Sequence, residues 1–415
     1  MGAMAIVGIA ATILTGTLTS AEALSGFANT VVWLVVAAFF FAGAFIRTGL
    51  GTRIACWFVV LFGRSTLGLG YSLVLTDLVL SLVVPSNTAR AGGIIFPILQ
   101  SLARSAIRGE DDSRRRTCEF LTLTAFQGTI ITSAMFLTAM VSNPLSAQLA
   151  ANQGITITWG LWATAAVVPG FVSLGVIPLL IYRLSPPGVR HTPDAPPIAR
   201  AQLASLGPAT MNERLMLVVL LALLIAWILG PAIGLDTTGA AFGAVAILLL
   251  TGILCWDDVC ADREVWNIFI WFGTLLMMAS LLGQFGLTAW FSRTVGDRLR
   301  DVGWVAGFLG LSLTYFYSHY FFASITAHVS AMYAPFLAVA LALGTPPFLA
   351  ALVLAFLSNL FAGLTHYGTA PAPVFFGSGY VSLGAWWKVG LIVSVANLTI
   401  WLGVGSLWWK LLGLW

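Results

Sequence analysis

The polar residues Ser86, Asn87 and Thr88 interrupt a stretch of chain that is otherwise almost entirely apolar. They offer hydroxyl and carboxamide donors, and a helix beginning near them would direct its free N–H groups and positive dipole end at the same point. Arg90 follows two residues later. Inside a membrane, such a backbone break is tolerated only where protein or a water-filled cavity surrounds it. The pattern therefore predicts a broken membrane helix that binds a ligand, and its donors suit an anion.

A second Ser-x-Thr run, Ser324 to Thr326, is followed two residues later by His328, at the place that Arg90 occupies after the first run. Two further breaks carry small polar side chains, namely Ser142, Asn143 and Thr369. Such side chains also form hydrogen bonds between packed membrane helices, so packing is the alternative to ligand binding for these positions.

Other ionisable residues lie at predicted membrane depth. Asp77 is a functional candidate because buried charge in a membrane is costly; its expected partner is Arg90, and a structural ion pair or a proton-transfer role both fit. His319 and His366 fall at two of the breaks. The sequence contains no HExxH and no nucleophile motif. It therefore predicts no metal site and no catalytic residue.

The composition is that of a polytopic membrane protein. Hydrophobic residues make up 59% of the chain and charged residues 8%, with a mean hydropathy of +0.96, whereas soluble domains carry roughly 25% charged residues. The net charge is only +4, and most arginines lie in a few loops near predicted membrane ends. This distribution indicates membrane orientation and not nucleic-acid binding.

Four apolar segments are longer than the roughly 17 to 25 residues that span a bilayer, and two of them share a further feature. Residues 71–102 and 305–343 each exceed one span, and each is broken at a Ser-x-Thr run. A re-entrant hairpin explains both facts, because the chain enters, turns at a polar tip and leaves on the same side. A basic cluster after the first hairpin predicts entry from the cytoplasm. It consists of Arg104, Arg108 and Arg114–Arg116.

The order of these features divides the chain into two halves. Residues 1–183 and 215–415 each contain spans, a hairpin, and a second over-long segment broken near a proline. Residues 184–214 are polar and proline-rich, which is typical of a linker, here cytoplasmic. After this linker the chain changes membrane side before the second hairpin begins, so that hairpin is predicted to enter from outside. We therefore predict two inverted repeats, whose paired interrupted helices hold a transport site near the midplane.

Three motifs in this order resemble the divalent anion/sodium symporter family. They are PSNTARAGGIIFP at Pro85–Pro97, ASITAHVSAMYAPF at Ala323–Phe336 and LTHYGTAPAPVFFGSGYV at Leu364–Val381. The third resembles the branch of plastid 2-oxoglutarate/malate translocators and bacterial citrate/succinate or tartrate/succinate exchangers. The resemblance covers essentially the whole chain. It implies an all-α fold with an elevator-type transport domain, a scaffold that forms a homodimer, and an amino end shortened by two spans.

The resemblance also implies roles for individual residues. One hairpin tip would hold each carboxylate of a dicarboxylate, with the broken helices completing the lining. The implied substrate-binding residues are Ser86, Asn87, Thr88, Ser142, Asn143, Ser324, Thr326 and Thr369. Sodium-coupled members have asparagine where this chain has Ile325, and isoleucine offers a cation no oxygen, which argues against a second sodium site.

We hypothesise that Arg90 and His328 are charge-compensating residues that replace sodium in part. An empty carrier would then bury unpaired charge and return slowly, which makes exchange obligatory. The structural alternatives are a helix-pairing arginine and a core histidine bonded to a carbonyl.

The sequence thus predicts a secondary active transporter of di- and tricarboxylates in a bacterial inner membrane. It would exchange C4 to C6 anions of the 2-oxoglutarate, malate and succinate type and use no cofactor. A sodium-coupled symporter, which would use Na⁺, is the first alternative. A membrane-embedded enzyme and an inactive, truncated carrier are more distant ones. A plain channel is disfavoured because a channel does not need two hairpins of opposite entry.

Overall fold

The computed structural model describes residues 1–105, 107, 110–299 and 302–415. These residues form helices and turns, and the one β-type pairing among them is a bridge between Ser65 and His191. Arg108 of the predicted basic cluster lies outside the described residues. Six of the described helices are long and apolar enough to cross a membrane: Thr30–Thr48, Trp159–Leu184, Met211–Ile233, Arg263–Gln284, Ile325–Ala342 and Leu383–Leu411. The predicted all-helical, multi-pass membrane fold is confirmed.

The helices of the first half are α1 (Gly2–Leu14), α2 (Ser20–Leu24), α3 (Thr30–Thr48), α4 (Leu50–Phe62), α5 (Thr66–Ser81), α6 (Asn87–Arg90), α7 (Phe96–Ser105), α8 (Asp111–Met135), α9 (Ser142–Ala151) and α10 (Trp159–Leu184). After the linker helix α11 (Ala195–Leu206), the second half comprises α12 (Met211–Leu229), α13 (Thr237–Leu250), α14 (Trp256–Ala261), α15 (Arg263–Gln284), α16 (Leu287–Leu299), α17 (Trp304–Tyr317), α18 (Ile325–His328), α19 (Ala334–Ala342), α20 (Pro347–Leu360), α21 (Pro371–Phe376), α22 (Leu383–Thr399) and α23 (Gly405–Leu411).

Two stretches of the chain repeat the same succession of elements. In the first, α5 is followed by the one-turn helix α6, a five-residue π-helix at Ala91–Ile95, and α7. In the second, α17 is followed by α18, a five-residue π-helix at Val329–Tyr333, and α19. Ser86 and Ser324 are the matching N-caps, and each side chain accepts a hydrogen bond from the backbone N–H three residues later. The match supports an internal repeat, and its inverted orientation stays a prediction.

The helices α8 and α20 form the centre of the protein. Both are buried on every side over most of their length, as a helix that is surrounded by others must be. Each ends at a predicted break, where a 3₁₀ turn precedes the next helix. The turns are Leu137–Ala139 before α9 and Phe361–Gly363 before α21. Both breaks thus leave carbonyls outside the helical hydrogen-bond pattern, and side chains donate to them instead, as Arg90 does to Ala139 and Gln127 to Gly363.

The predicted linker is folded against the first half. Its helix α11 packs on α4, and Pro196 lies in the first turn of α11, where a missing N–H is harmless. The Thr66 N–H donates to the carbonyl of Arg190 at 3.1 Å. Arg53 of α4 pairs with Glu213 at the start of α12 at 2.8 Å. The prolines that indicated a linker in the sequence thus help to begin a helix.

Gly390 lets α22 lie directly against the chain that follows α20. A methyl group at this position would lie 2.7 Å from the carbonyl oxygens of both Gly363 and Leu364. We expect Gly390→Ala to destabilise the protein by about 1–3 kcal/mol, because backbone atoms would have to shift. The measurement is the unfolding temperature of the purified protein in detergent. Gly384→Ala is the control, since nothing lies within 4 Å of its methyl position; equal losses in the two variants would contradict the close contact.

Candidate functional site

A cavity of about 400 Å³ brings the two hairpin tips together. Six of the predicted substrate-binding residues line it, namely Ser86, Asn87, Thr88, Ser324, Thr326 and Thr369. The carboxamide of Asn87 donates to the hydroxyl oxygen of Thr369 at 3.3 Å, so the first tip contacts the broken segment of the second half directly. Ile325 lines the cavity as well. The structure therefore gathers these donors around one space, and their role in binding stays a prediction.

The starts of two helices converge on this cavity. The helix that runs from Asn87 through Ser105 begins at the first tip, and the helix from Ile325 to Ala342 begins at the second. The N–H groups in the first turn of a helix have no partner within that helix, and they carry its positive dipole end. Each tip thus combines side-chain hydroxyls with a helix N-terminus, which is an arrangement that binds carboxylates.

A second wall of the cavity comes from α3 and α15. Phe39 of α3 lines it, together with Glu264, Asn267, Ile268 and Trp271 of α15. The α15 residues follow the three- and four-residue spacing of a single helix face. Sequence analysis did not predict this wall, because α15 has the composition of an ordinary membrane span, without a break.

Arg90 lies behind the first tip and does not line the cavity. Its side chain is fully buried, and its Nε donates to Asp77 Oδ1 at 3.0 Å. Its Nη1 donates to the carbonyls of Val84 at 2.7 Å and Ala139 at 2.6 Å, and its Nη2 donates to Ser133 Oγ at 2.9 Å. The ion pair anticipated between Asp77 and Arg90 is present. Asp77 thus neutralises the charge of Arg90 behind the tip, and the predicted charge-compensating role of the arginine stays a prediction.

His328 lies behind the second tip in the same way. It is fully buried; its Nδ1 is 3.1 Å from Nδ1 of His319, and its Nε2 is 3.2 Å from Ser318 Oγ. His319 Nε2 lies 2.8 Å from the carbonyl oxygen of Gly368. A carbonyl only accepts, so His319 donates from Nε2 and, when neutral, accepts on Nδ1 from His328. Through His319, the His328 ring links the second tip to the Gly368 segment, and its predicted charge-compensating role stays a prediction.

The two halves hold their tips with different chemistry at matching positions. Asp77 precedes Arg90 by 13 residues, and Tyr315 stands at the same distance before His328. The Tyr315 ring packs on His328 with centroids 4.8 Å apart, and its hydroxyl is 2.7 Å from Ser358 Oγ. An ion pair in the first half thus corresponds to an aromatic pair in the second. The equal spacing was visible in the sequence but carried no motif that would have singled it out.

Ser142 and Asn143 are placed behind the site, and their predicted role in lining it is corrected. Both are fully buried. The Asn143 carboxamide donates to the carbonyls of Ser133 at 2.8 Å and Phe136 at 2.9 Å, and it accepts from Asn359 at 2.8 Å. These carbonyls are left free where α8 ends. Asn143 therefore stabilises the break itself and ties it to α20.

His366, the other histidine at a predicted break, packs among aromatic side chains. His366 accepts a hydrogen bond from the Trp387 indole at 3.3 Å and packs against Phe376. Within the described ranges, no group of three or more His, Cys, Asp or Glu side chains could hold a metal ion.

Residues 1–415 match the sodium:sulfate symporter transmembrane region over their whole length. The chain belongs to the divalent anion/sodium symporter family. Dicarboxylate transporter 1, chloroplastic, from Spinacia oleracea is 50% identical over 419 residues, which cover 100% of this chain and 74% of the spinach protein. The putative malate transporter YflS from Bacillus subtilis (strain 168) is 50% identical over 417 residues, covering 100% of this chain and 87% of that protein.

The fold of the described residues is also found in a solved structure of another protein. The crystal structure of the Alcanivorax borkumensis YdaH transporter, whose title reports an unusual topology, superimposes with a TM-score of 0.62 at 17% identity. The match covers 97% of this chain and 87% of that one. The predicted family and the predicted class, a transporter, are therefore confirmed.

Proposed function

We propose that this symporter family member exchanges dicarboxylates, of the 2-oxoglutarate, malate and succinate type, across a bacterial inner membrane. The observation that carries the proposal is the convergence of two helix starts, each with Ser and Thr donors, on one cavity of about 400 Å³. Two such starts suit a ligand with a carboxylate at each end. The names of the spinach and Bacillus relatives support the same substrate class.

The groups behind the tips favour exchange without sodium. The Arg90 guanidinium donates hydrogen bonds to two carbonyl oxygens next to the first tip, those of Val84 and Ala139. The imidazole of His319, which is hydrogen-bonded to His328, donates to the carbonyl of Gly368 next to the second tip. Carbonyl oxygens are the ligands that a hard cation would need. Fixed side chains thus take the place of mobile cations at these carbonyls. In this form, Arg90 and His328 replace sodium without contacting the anion themselves.

Obligatory exchange follows from the empty site. Without an anion, the donors and dipole ends at both tips would have no partner while crossing the membrane, and unpaired polar groups are costly there. Return of the empty carrier is therefore slow. Sodium-coupled symport is the second candidate, because the matching family is described as a sodium:sulfate symporter region.

The two walls of the cavity suit an elevator mechanism. The tips and the breaks after α8 and α20 would form the transport domain, and α3 and α15 would belong to a scaffold that also forms a homodimer. The cavity reaches the amino-terminal end of α15, which begins at Arg263. Close to this end, Arg47 at the end of α3 pairs with Asp258 at 3.0 Å. By the positive-inside rule this end is cytoplasmic. The conformation would then be inward-facing.

The test is uptake of radiolabelled 2-oxoglutarate by proteoliposomes that contain the purified protein. We expect rapid uptake into vesicles preloaded with malate and at least about tenfold slower uptake into empty vesicles, since the empty carrier must return in the second case. Equal uptake into both would contradict exchange. Protein-free liposomes provide the background.

A further inference from the structure

The second wall of the cavity carries a charge for which the proposed exchange has no use. Among the described residues that line the cavity, Glu264 is the one whose side chain is formally charged, and its charge is negative. The hairpin tips contribute neutral hydroxyls and a carboxamide. An acidic side chain beside an anion site opposes binding, so its presence needs a reason.

Helix capping does not supply that reason. Asp262 caps α15 by accepting a hydrogen bond from the Val265 N–H at 3.1 Å. The favourable interaction of a first-turn acidic residue with the helix dipole holds on any face of the helix and does not require a position at the cavity. Glu264 instead begins the row of α15 side chains that line the cavity, and Trp271 ends that row. At a rise of about 1.5 Å per residue, the two lie roughly 10 Å apart along α15. Glu264 is exposed and Trp271 is partly buried, so the carboxylate stands at the open end of the wall.

We propose that Glu264 is a charge filter that determines substrate specificity by excluding tricarboxylates. This inference rests on the proposed dicarboxylate exchange. Coulomb repulsion grows in proportion to the ligand's charge, so the Glu264 carboxylate repels a trianion half as much again as a dianion at the same distance. The two tips hold two carboxylates, and a third one has to lie in the remainder of the cavity, which Glu264 shares. A dianion therefore passes and a trianion is held back.

The experiment compares labelled citrate with labelled 2-oxoglutarate at neutral pH, in proteoliposomes preloaded with malate. We expect Glu264→Gln to raise the ratio of citrate to 2-oxoglutarate exchange by about threefold to tenfold, because one unit of repulsion is removed from a partly screened site. Glu264→Asp keeps the charge and should keep the native ratio. Asp257→Asn is the matched control, since it removes a negative charge from α14, directly before α15, at a position that does not line the cavity.

An unchanged ratio in Glu264→Gln, or loss of 2-oxoglutarate exchange in that variant, would overturn the filter. So would an equal rise in Asp257→Asn, because the effect would then come from general surface charge. These outcomes are distinct from failure of the proposed function, in which the unaltered protein would exchange no 2-oxoglutarate at all.

Discussion

Replacing Arg90 with methionine is expected to destabilise the protein by about 3–5 kcal/mol, because Asp77 would be left as an unpaired buried charge. Both side chains are inaccessible to solvent, at 0% and 1% exposure, so water cannot compensate. The same change removes the donors to Val84 and Ala139. The unfolding temperature of the purified protein in detergent should fall by roughly 5 to 10 °C.

The double variant Asp77→Asn/Arg90→Met separates the ion pair from the packing around it. Removing both charges should restore part of the lost stability, since no unpaired charge then remains. Arg200→Met, an exposed arginine on α11, is the matched control and should have little effect. A double variant that is less stable than Arg90→Met would show that the charge pair does not hold the first tip.

Replacing Asn87 with alanine is expected to reduce 2-oxoglutarate exchange by about 10- to 100-fold, the effect of losing a hydrogen bond to a charged ligand. Asn87 is the one carboxamide on either tip, and it lines the cavity while contacting Thr369. The side chain is small and lies against an open space, so the fold should tolerate the change. Initial rates of exchange into malate-loaded proteoliposomes provide the measurement.

Asn212→Ala is the control for this change, because it removes an exposed carboxamide near the start of α12. It should exchange at the native rate. Elution of both variants as the native species in size-exclusion chromatography would establish that they are folded. A folded Asn87→Ala protein with native exchange would show that the first tip does not bind the substrate.

Polar residues within hydrocarbon were the most informative part of the sequence. A membrane excludes unsatisfied backbone groups, so the Ser-Asn-Thr and Ser-Ile-Thr runs had to mark breaks, and both lie at the cavity. The sequence could not tell which polar groups face the ligand and which satisfy the break. Asn143 belongs to the second kind, and its partner Asn359 is 216 residues away along the chain. Such a partner is set by tertiary packing and has no local signature.

The wall opposite the tips could not be predicted for a different reason. Glu264 and Trp271 lie on a helix whose hydropathy and length are those of an ordinary span. Only the tertiary arrangement, which places α15 across the cavity from the tips, gives these residues a place at the site. The linker shows the converse case, in which prolines indicated a break in structure whereas Pro196 belongs to the first turn of α11.

The most direct test of exchange with fixed side chains in place of sodium is 2-oxoglutarate uptake by empty proteoliposomes under an inward sodium gradient. We predict no accumulation above the external concentration in these vesicles, and undiminished exchange in malate-loaded vesicles when choline replaces sodium. Accumulation of 2-oxoglutarate in empty vesicles, driven by the sodium gradient, would contradict this mechanism and establish sodium-coupled symport.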